Sequence, residues 1–167
     1  GTRKAGTVGL SLPDVSVHII NQAGDQCKSD EIGDIQVKGP NVFSGYWNMP
    51  EKTAEEFTTD GYFKTGDVGC FDSDGYLSIV GRSKDLIISG GYNVYPKEIE
   101  SEIDALDGVM ESAVIGIAHA DFGEAVIAIV VMHKGEKLSE ESVIQTLKNR
   151  IANFKVPKKV YFVDELP

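Results

Sequence analysis

The spacing of apolar residues changes near residue 85, and this change constrains the fold more than any other feature of the sequence. Before it, short strand-like runs are separated by turn signals such as Asn21–Gly24 and Asp74–Gly75. After it, strand-like and helix-like segments alternate, which indicates a second structural unit. We therefore predict an α+β chain, with a small β-barrel-like or meander subdomain over 1–83 and a compact α+β domain over 84–167. The short, polar segment Gly81–Asp85 suits a joint between them.

The elements of the first part follow from its turn residues. Pro50 is suited to the first position of a helix, which we expect to continue through Glu51–Phe57. The strands are predicted at Val15–Ile20, Asp34–Lys38, Gly66–Phe71 and Tyr76–Val80.

The second part has two amphipathic helices. One begins at Pro96 and places Ile99, Ile103 and Leu106 on one face. The other is capped by Ser139 and places Val143, Leu147 and Ile151 on its buried face. The strands are predicted at Leu86–Ser89, Val109–Ile117, Ala125–His133 and Val160–Val163.

Composition excludes several functional classes. The formal net charge of −10 argues against nucleic acid as a partner, since binding it requires a concentrated basic surface. Since no apolar run approaches the roughly 20 residues of a membrane-spanning helix, we expect no membrane span. Cys27 and Cys70 lack the spacing of metal ligands and are expected to be free thiols of a cytoplasmic protein.

Three short segments could hold a ligand, although each has a plain structural interpretation. In Thr65-Gly66-Asp67 a carboxylate follows a glycine, and it could accept hydrogen bonds from a ribose diol, but such tripeptides also form turns. Arg82 follows Gly81 and could donate to ribose and phosphate oxygens. Gly90-Gly91 would allow a ligand to approach the backbone closely, and a strand-to-helix turn explains the pair equally well.

The order and spacing of the motifs resemble the adenylate-forming superfamily of acyl-CoA synthetases, luciferases and peptide-synthetase adenylation domains. The motifs that carry this resemblance are Gly45-Tyr46-Trp47, Pro50–Thr53, Thr65-Gly66-Asp67, Gly81–Asp85 and Gly90–Glu100. Within the superfamily, the segments VKGPNVFSGYWNMPEKT, GGYNVYPKEIESEID and ESAVIGIAHADFGEAV are most similar to malonyl-CoA synthetases.

The resemblance implies a two-step reaction that uses ATP, Mg²⁺ and CoA on a small carboxylate, with malonate as the expected substrate and malonyl-CoA as the product. It implies that Asp67 binds the ribose hydroxyls of ATP or AMP, with Arg82 beside the ribose and phosphates. Lys84 matches the hinge residue about which the second domain rotates, and Asp85 is the first residue of the mobile part. Gly90 and Gly91 match the loop that lines the CoA pantetheine tunnel. Tyr46 and Trp47 are interpreted as structural packing residues.

The resemblance also implies that parts of the site lie outside this sequence. The phosphate loop and the segment that contacts adenine and Mg²⁺ are expected before Gly1, and the catalytic lysine after Pro167. We therefore expect no catalytic residue within 1–167, and a segment that folds without catalysing adenylation. Lys155, Lys158 and Lys159 would form a solvated basic patch or contact the CoA phosphate. Two alternatives stay open: an adenylate-forming enzyme for a fatty or aryl acid, and a non-catalytic nucleotide- or protein-binding module.

Overall fold

The computed structural model describes residues 3–166, and the chain divides into two compact units, Gly1–Lys84 and Asp85–Pro167. Most of the predicted elements are present. The differences are one strand that was not predicted and the way in which strands pair, which spacing alone does not determine.

The first unit is a four-stranded antiparallel sheet in which consecutive strands are neighbours. Its strands are β1 (Ser16–Ile20), β2 (Gly33–Lys38), β3 (Phe63–Phe71) and β4 (Leu77–Arg82), and helix α1 (Pro50–Glu56) lies between β2 and β3 in the sequence. The sheet is open, with β1 and β4 at its edges, so the meander interpretation is confirmed and the β-barrel-like one is corrected. Closure into a barrel would require β1 to pair with β4. The spacing of strands along the sequence does not determine whether two such distant strands pair.

Aromatic rings cluster beside α1. Phe43 makes edge-to-face contacts with Tyr46, Phe57 and Phe63, at centroid distances of 5.1 to 5.7 Å. Tyr46 therefore packs as expected, whereas Trp47 is 89% exposed, which corrects its interpretation as a packing residue.

The second unit contains a mixed sheet and two helices. Its elements are β5 (Ile87–Ser89), β6 (Tyr92–Val94), α2 (Pro96–Asp104), β7 (Val109–His119), β8 (Gly123–Met132), α3 (Glu140–Lys148) and β9 (Lys159–Val163). The antiparallel order is β6-β5-β8-β7, and β9 pairs parallel with β8. Strand β6 is the one strand of this unit, within the described residues, that the sequence did not predict.

The core of the second unit contains the apolar faces of both helices. Ile99 and Ile103 of α2 and Val143 and Leu147 of α3 are completely buried, as their spacing predicted. They pack with apolar residues of the sheet, among them Val94, Val114, Val126, Val130 and Val160. Ser139 caps α3 as expected, because its Oγ accepts a hydrogen bond from the Ser142 N–H at 3.2 Å.

Two glutamates of these helices reach the backbone of edge strands. Glu100 Oε1 accepts a hydrogen bond from the Val114 N–H of β7 at 3.0 Å. Glu140 Oε1 accepts one from the Val160 N–H of β9 at 3.1 Å, while its Oε2 pairs with Lys159 Nζ at 2.7 Å. Each carboxylate thus satisfies an N–H on the side of the strand that has no ladder partner.

Both cysteines are free thiols, as expected, and burial raises the pKa of each. None of the helices in the described part of the chain is long and apolar enough to cross a membrane.

Candidate functional site

Asp67 and Arg82 lie directly opposite each other on β3 and β4. Arg82 Nε is 3.0 Å from Asp67 Oδ1, and Arg82 Nη1 donates to the Thr65 carbonyl at 3.4 Å. The arginine side chain is 55% exposed and the aspartate side chain 28% exposed. The structure therefore brings together the two residues that the sequence predicted for a nucleotide, on a surface open to solvent.

Thr65 fixes the backbone that presents Asp67. Its Oγ1 accepts a hydrogen bond from the Asp67 N–H at 3.0 Å and donates one to the Ile35 carbonyl of β2 at 3.0 Å. Gly66 between them has φ +73°, a left-handed conformation that favours glycine. The Thr-Gly-Asp tripeptide is thus a local distortion of β3 that is bonded to the neighbouring strand.

The pair has the chemistry to hold a ribose phosphate. The ion pair uses Oδ1 of the carboxylate, so a hydroxyl that approaches Oδ2 would leave it intact. A guanidinium offers five N–H donors in a planar fork, and the two bonds above use Nε and Nη1. An anionic oxygen could therefore approach Arg82 without displacing Asp67.

Gly90 and Gly91 form the two-residue turn that joins β5 to β6. Both have positive φ, +59° and +81°, and Ser89 pairs with Tyr92 across the turn. Positive φ at both central positions is the geometry of a type I′ hairpin turn, which is why glycine suits both. The strand-to-helix turn is thereby corrected to a hairpin turn, and a Cβ at Gly91 would meet no atom within 4 Å.

Lys84 and Asp85 lie in a short 3-10 turn, Ser83–Asp85, and both are exposed. The division between the two compact units falls between them. Among residues 3–166, no group of three or more His, Cys, Asp or Glu side chains could hold a metal ion, so no residue here is assigned to Mg²⁺.

An open cleft of about 790 Å³ lies elsewhere on the first unit, between residues 44–48 and α1. Trp47, Thr53 and Phe57 contribute to its lining, and Asp67 and Arg82 do not. No Asp, Glu, Lys, Arg or His side chain lines the cleft, so it lacks the charged groups that a phosphate or carboxylate would need.

Two family profiles match the chain. The one described as AMP-binding enzyme matches residues 1–47, and the one described as AMP-binding enzyme C-terminal domain matches residues 98–167. The chain belongs to the AMP-binding, adenylate-forming superfamily.

Members of this superfamily align with the chain over nearly all of its length. It is 44% identical to the indoleacetate–CoA ligase of Aromatoleum aromaticum, over 99% of this chain and 32% of that protein. It is 40% identical to the long-chain-fatty-acid–CoA ligase of Bacillus subtilis, over 100% of this chain and 30% of that protein. The crystal structure of ATP-bound MatB from Rhodopseudomonas palustris matches with 58% identity and a TM-score of 0.94, over 100% of this chain and 33% of that one. The chain thus spans about a third of the length of these relatives.

Sequence reasoning missed three residues that hold the predicted site residues in place: Thr65 beside Asp67, and Glu124 and Phe154 beside the hairpin of Gly90 and Gly91. Thr65 was noticed only as part of its tripeptide. Glu124 and Phe154 carry no local signal, because their partners are 36 and 62 positions away in the sequence.

Proposed function

We propose that the full-length protein is an AMP-forming acyl-CoA synthetase, that it acts in the cytoplasm, and that its carboxylate substrate is malonate. In the first step a carboxylate oxygen attacks the α-phosphorus of ATP, the α–β phosphoanhydride bond breaks, and pyrophosphate leaves. In the second step the CoA sulfur attacks the acyl carbon, the bond to AMP breaks, and the thiol proton is released. Acyl-CoA and AMP are the products.

The observation that carries this proposal is the pair of Asp67 and Arg82, in a chain that belongs to the AMP-binding superfamily. We assign Asp67 to the ribose hydroxyls of ATP, with a carboxylate oxygen as the acceptor. We assign Arg82 to the ribose and phosphates, where its charge would offset the negative charge of the nucleotide. Thr65 would keep Asp67 in place during both steps.

The remaining site residues receive roles in the second step. We assign Gly90 and Gly91 to the wall of the pantetheine tunnel, and the open space around Gly91 supports that role. We assign Lys84 to the hinge and Asp85 to the first position of the mobile part, an assignment supported by the exposed turn between the two units.

Malonate is supported by the resemblance of the segments described above to malonyl-CoA synthetases, in a chain that is 58% identical to MatB. The similarity to indoleacetate and long-chain-fatty-acid ligases supports a second candidate, an aryl or fatty carboxylate. The two differ in charge, because malonate carries a second carboxylate that requires a cationic partner, typically arginine, in its pocket.

The substrate is tested with the full-length protein by measuring pyrophosphate release with ATP and CoA. Malonate, acetate, octanoate and cinnamate are compared at equal concentration. A strong preference for malonate is the expected result, and a preference for another acid would replace malonate while keeping the mechanism. No turnover with any of the four acids would contradict the proposal.

The role of Asp67 is tested in the same assay with Asp67→Asn. Hydrogen bonds to a charged group contribute roughly 1.5–3 kcal/mol, so we expect the KM for ATP to rise about 10- to 100-fold. Asp74→Asn is the matched control, because Asp74 is 70% exposed in a turn of the same unit. Equal ATP affinity in both variants would remove Asp67 from the nucleotide site.

A further inference from the structure

The hairpin of β5 and β6, which carries the Gly90-Gly91 turn, is attached to its sheet by few main-chain contacts. Each strand has three residues, and a single residue pair, Ser89 with Gly123, joins β5 to β8. The Gly90 N–H adds one hydrogen bond to the Phe122 carbonyl at 2.8 Å. An isolated two-stranded hairpin is marginally stable. Ile87 and Val94 are buried in the core, and the position of the turn beyond them depends on further contacts.

Glu124 of β8 supplies the first of them. Its Oε2 accepts a hydrogen bond from the Ile88 N–H at 2.7 Å, where the ladder between β5 and β8 does not continue. The carboxylate thus takes the place of a main-chain carbonyl, and its charge strengthens the bond.

Gly116 of β7 makes room for this carboxylate. A Cβ at that position would lie 2.6 Å from Glu124 Oε1 and 3.0 Å from the Ile87 side chain. The absence of a side chain at Gly116 therefore allows Glu124 to reach β5.

Phe154 supplies the second contact, on β6. Its ring stacks on the Tyr92 ring with centroids 4.6 Å apart and planes inclined by 24°. The neighbouring Lys155 is fixed in turn, because its Nζ lies 2.7 and 2.8 Å from the two carboxylate oxygens of Glu98 on α2. Lys155 is thus engaged by a partner, which corrects its interpretation as part of a solvated basic patch.

We propose that Glu124 and Phe154 are positioning residues that fix the Gly90-Gly91 turn for thioester formation. Glu124 acts through the main chain of β5, and Phe154 through the ring of Tyr92 on β6. This inference rests on the function proposed above, in which the turn lines the path of the CoA thiol. Its consequence is selective: loss of either side chain impairs the CoA-dependent step and spares adenylation.

The experiment measures the two half-reactions of the full-length enzyme separately. ATP–pyrophosphate exchange with the preferred carboxylate reports the first, and conversion of preformed acyl-adenylate and CoA to acyl-CoA reports the second. For Glu124→Ala we expect the KM for CoA to rise, or the second rate to fall, by roughly tenfold or more, with exchange within about twofold of wild type. Glu124→Gln retains an acceptor oxygen and should recover most of the second rate.

Four further variants complete the test. Gly116→Ala keeps the Glu124 side chain, but the added methyl group would occupy the space of its carboxylate. This variant should therefore reproduce the selective loss of Glu124→Ala. Phe154→Tyr should retain the ring contact and the second rate, whereas Phe154→Ala should lose it. Glu111→Ala, at an exposed residue of β7, is the control for removing a carboxylate from the same unit.

Thermal unfolding of every variant distinguishes a positioning role from a general loss of stability. A variant that keeps the wild-type melting temperature and loses only the CoA-dependent half-reaction supports the inference. Equal losses in both half-reactions, or no loss in either, would overturn it while leaving the proposed function intact. If the wild-type enzyme forms no acyl-CoA from acyl-adenylate, the proposed function itself is wrong.

Discussion

In the first unit the buried apolar side chains of the described residues are Ile19, Ile35 and Val68, all on one sheet, whereas the second unit buries a continuous core between a sheet and two helices. In the first unit the strands also come together at glycines, with Gly33 and Gly69 buried at strand contacts. The comparison indicates that close backbone approach contributes to the first unit beside its aromatic cluster, whereas the second unit depends on a continuous side-chain core.

The largest effect is expected from a cavity in the second unit. Ile99→Ala removes a completely buried side chain of α2 and should lower the free energy of unfolding of that unit by about 2–5 kcal/mol. Hydrogen exchange, followed separately for amides of the two units, should show faster exchange in the second unit and no change in the first. Ile117→Ala is the control, because that side chain is 46% exposed and its loss should cost less than about 1 kcal/mol.

A smaller loss of stability, in the first unit, is expected at Gly69. A Cβ there would collide with the Ser78 carbonyl oxygen of β4 and lie 2.9 Å from Ile35 Cδ1, so Gly69→Ala should destabilise the first unit by roughly 1–3 kcal/mol. Gly81→Ala on the adjacent strand has open space and should change stability by less than about 0.5 kcal/mol. Denaturant unfolding of both variants measures the difference. If the two substitutions had equal effects, backbone approach would not be what distinguishes the first unit.

The smallest effect is expected in how the stability of each unit depends on pH. The hydrogen bond from Lys159, followed by that from the Val160 N–H, lowers the pKa of Glu140 below its ordinary 4.5. A carboxyl whose pKa is lower in the folded state stabilises above its unfolded pKa and loses that contribution as pH falls through the folded value. Glu140→Gln should therefore show a weaker loss of second-unit stability than wild type between about pH 5 and pH 3.

The first unit offers the matched case. The hydrogen bond from Lys4 lowers the pKa of Asp72, with further contributions from the N–H groups of Tyr76 and Asp74. Asp72→Asn should therefore weaken the acid sensitivity of the first unit alone, as measured by hydrogen exchange over the same pH range. If either substitution changed the acid sensitivity of both units equally, the two units would not respond to pH independently.

The sequence predicted elements well where several residues share a period. The buried faces of α2 and α3 were predicted from spacing, because Ile99 and Ile103, and Val143 and Leu147, recur at four-residue intervals. Strand β6 was missed because its three residues lie between Gly91 and the helix start at Pro96, a segment that was interpreted as a strand-to-helix turn. The β-barrel-like prediction was wrong because barrel closure depends on contacts between distant strands.

The candidate site divides in the same way. Asp67 and Arg82 were identified by motif, and their cross-strand pairing could not have been read from either motif alone. Glu100, Glu124 and Glu140 look like solvated charges in the sequence, since nothing local marks a carboxylate that will accept a hydrogen bond from a strand. Such contacts join distant positions, and only the folded chain defines them.

The carboxylates at the edges of the second sheet have a consequence for association between molecules. An incoming strand pairs with an edge through its free N–H and C=O groups. At Val114 on β7 and Val160 on β9 the N–H is already bonded to Glu100 or Glu140. A strand from another molecule would have to displace a charged side chain at each position, so β7 and β9 are poor edges for strand-to-strand aggregation.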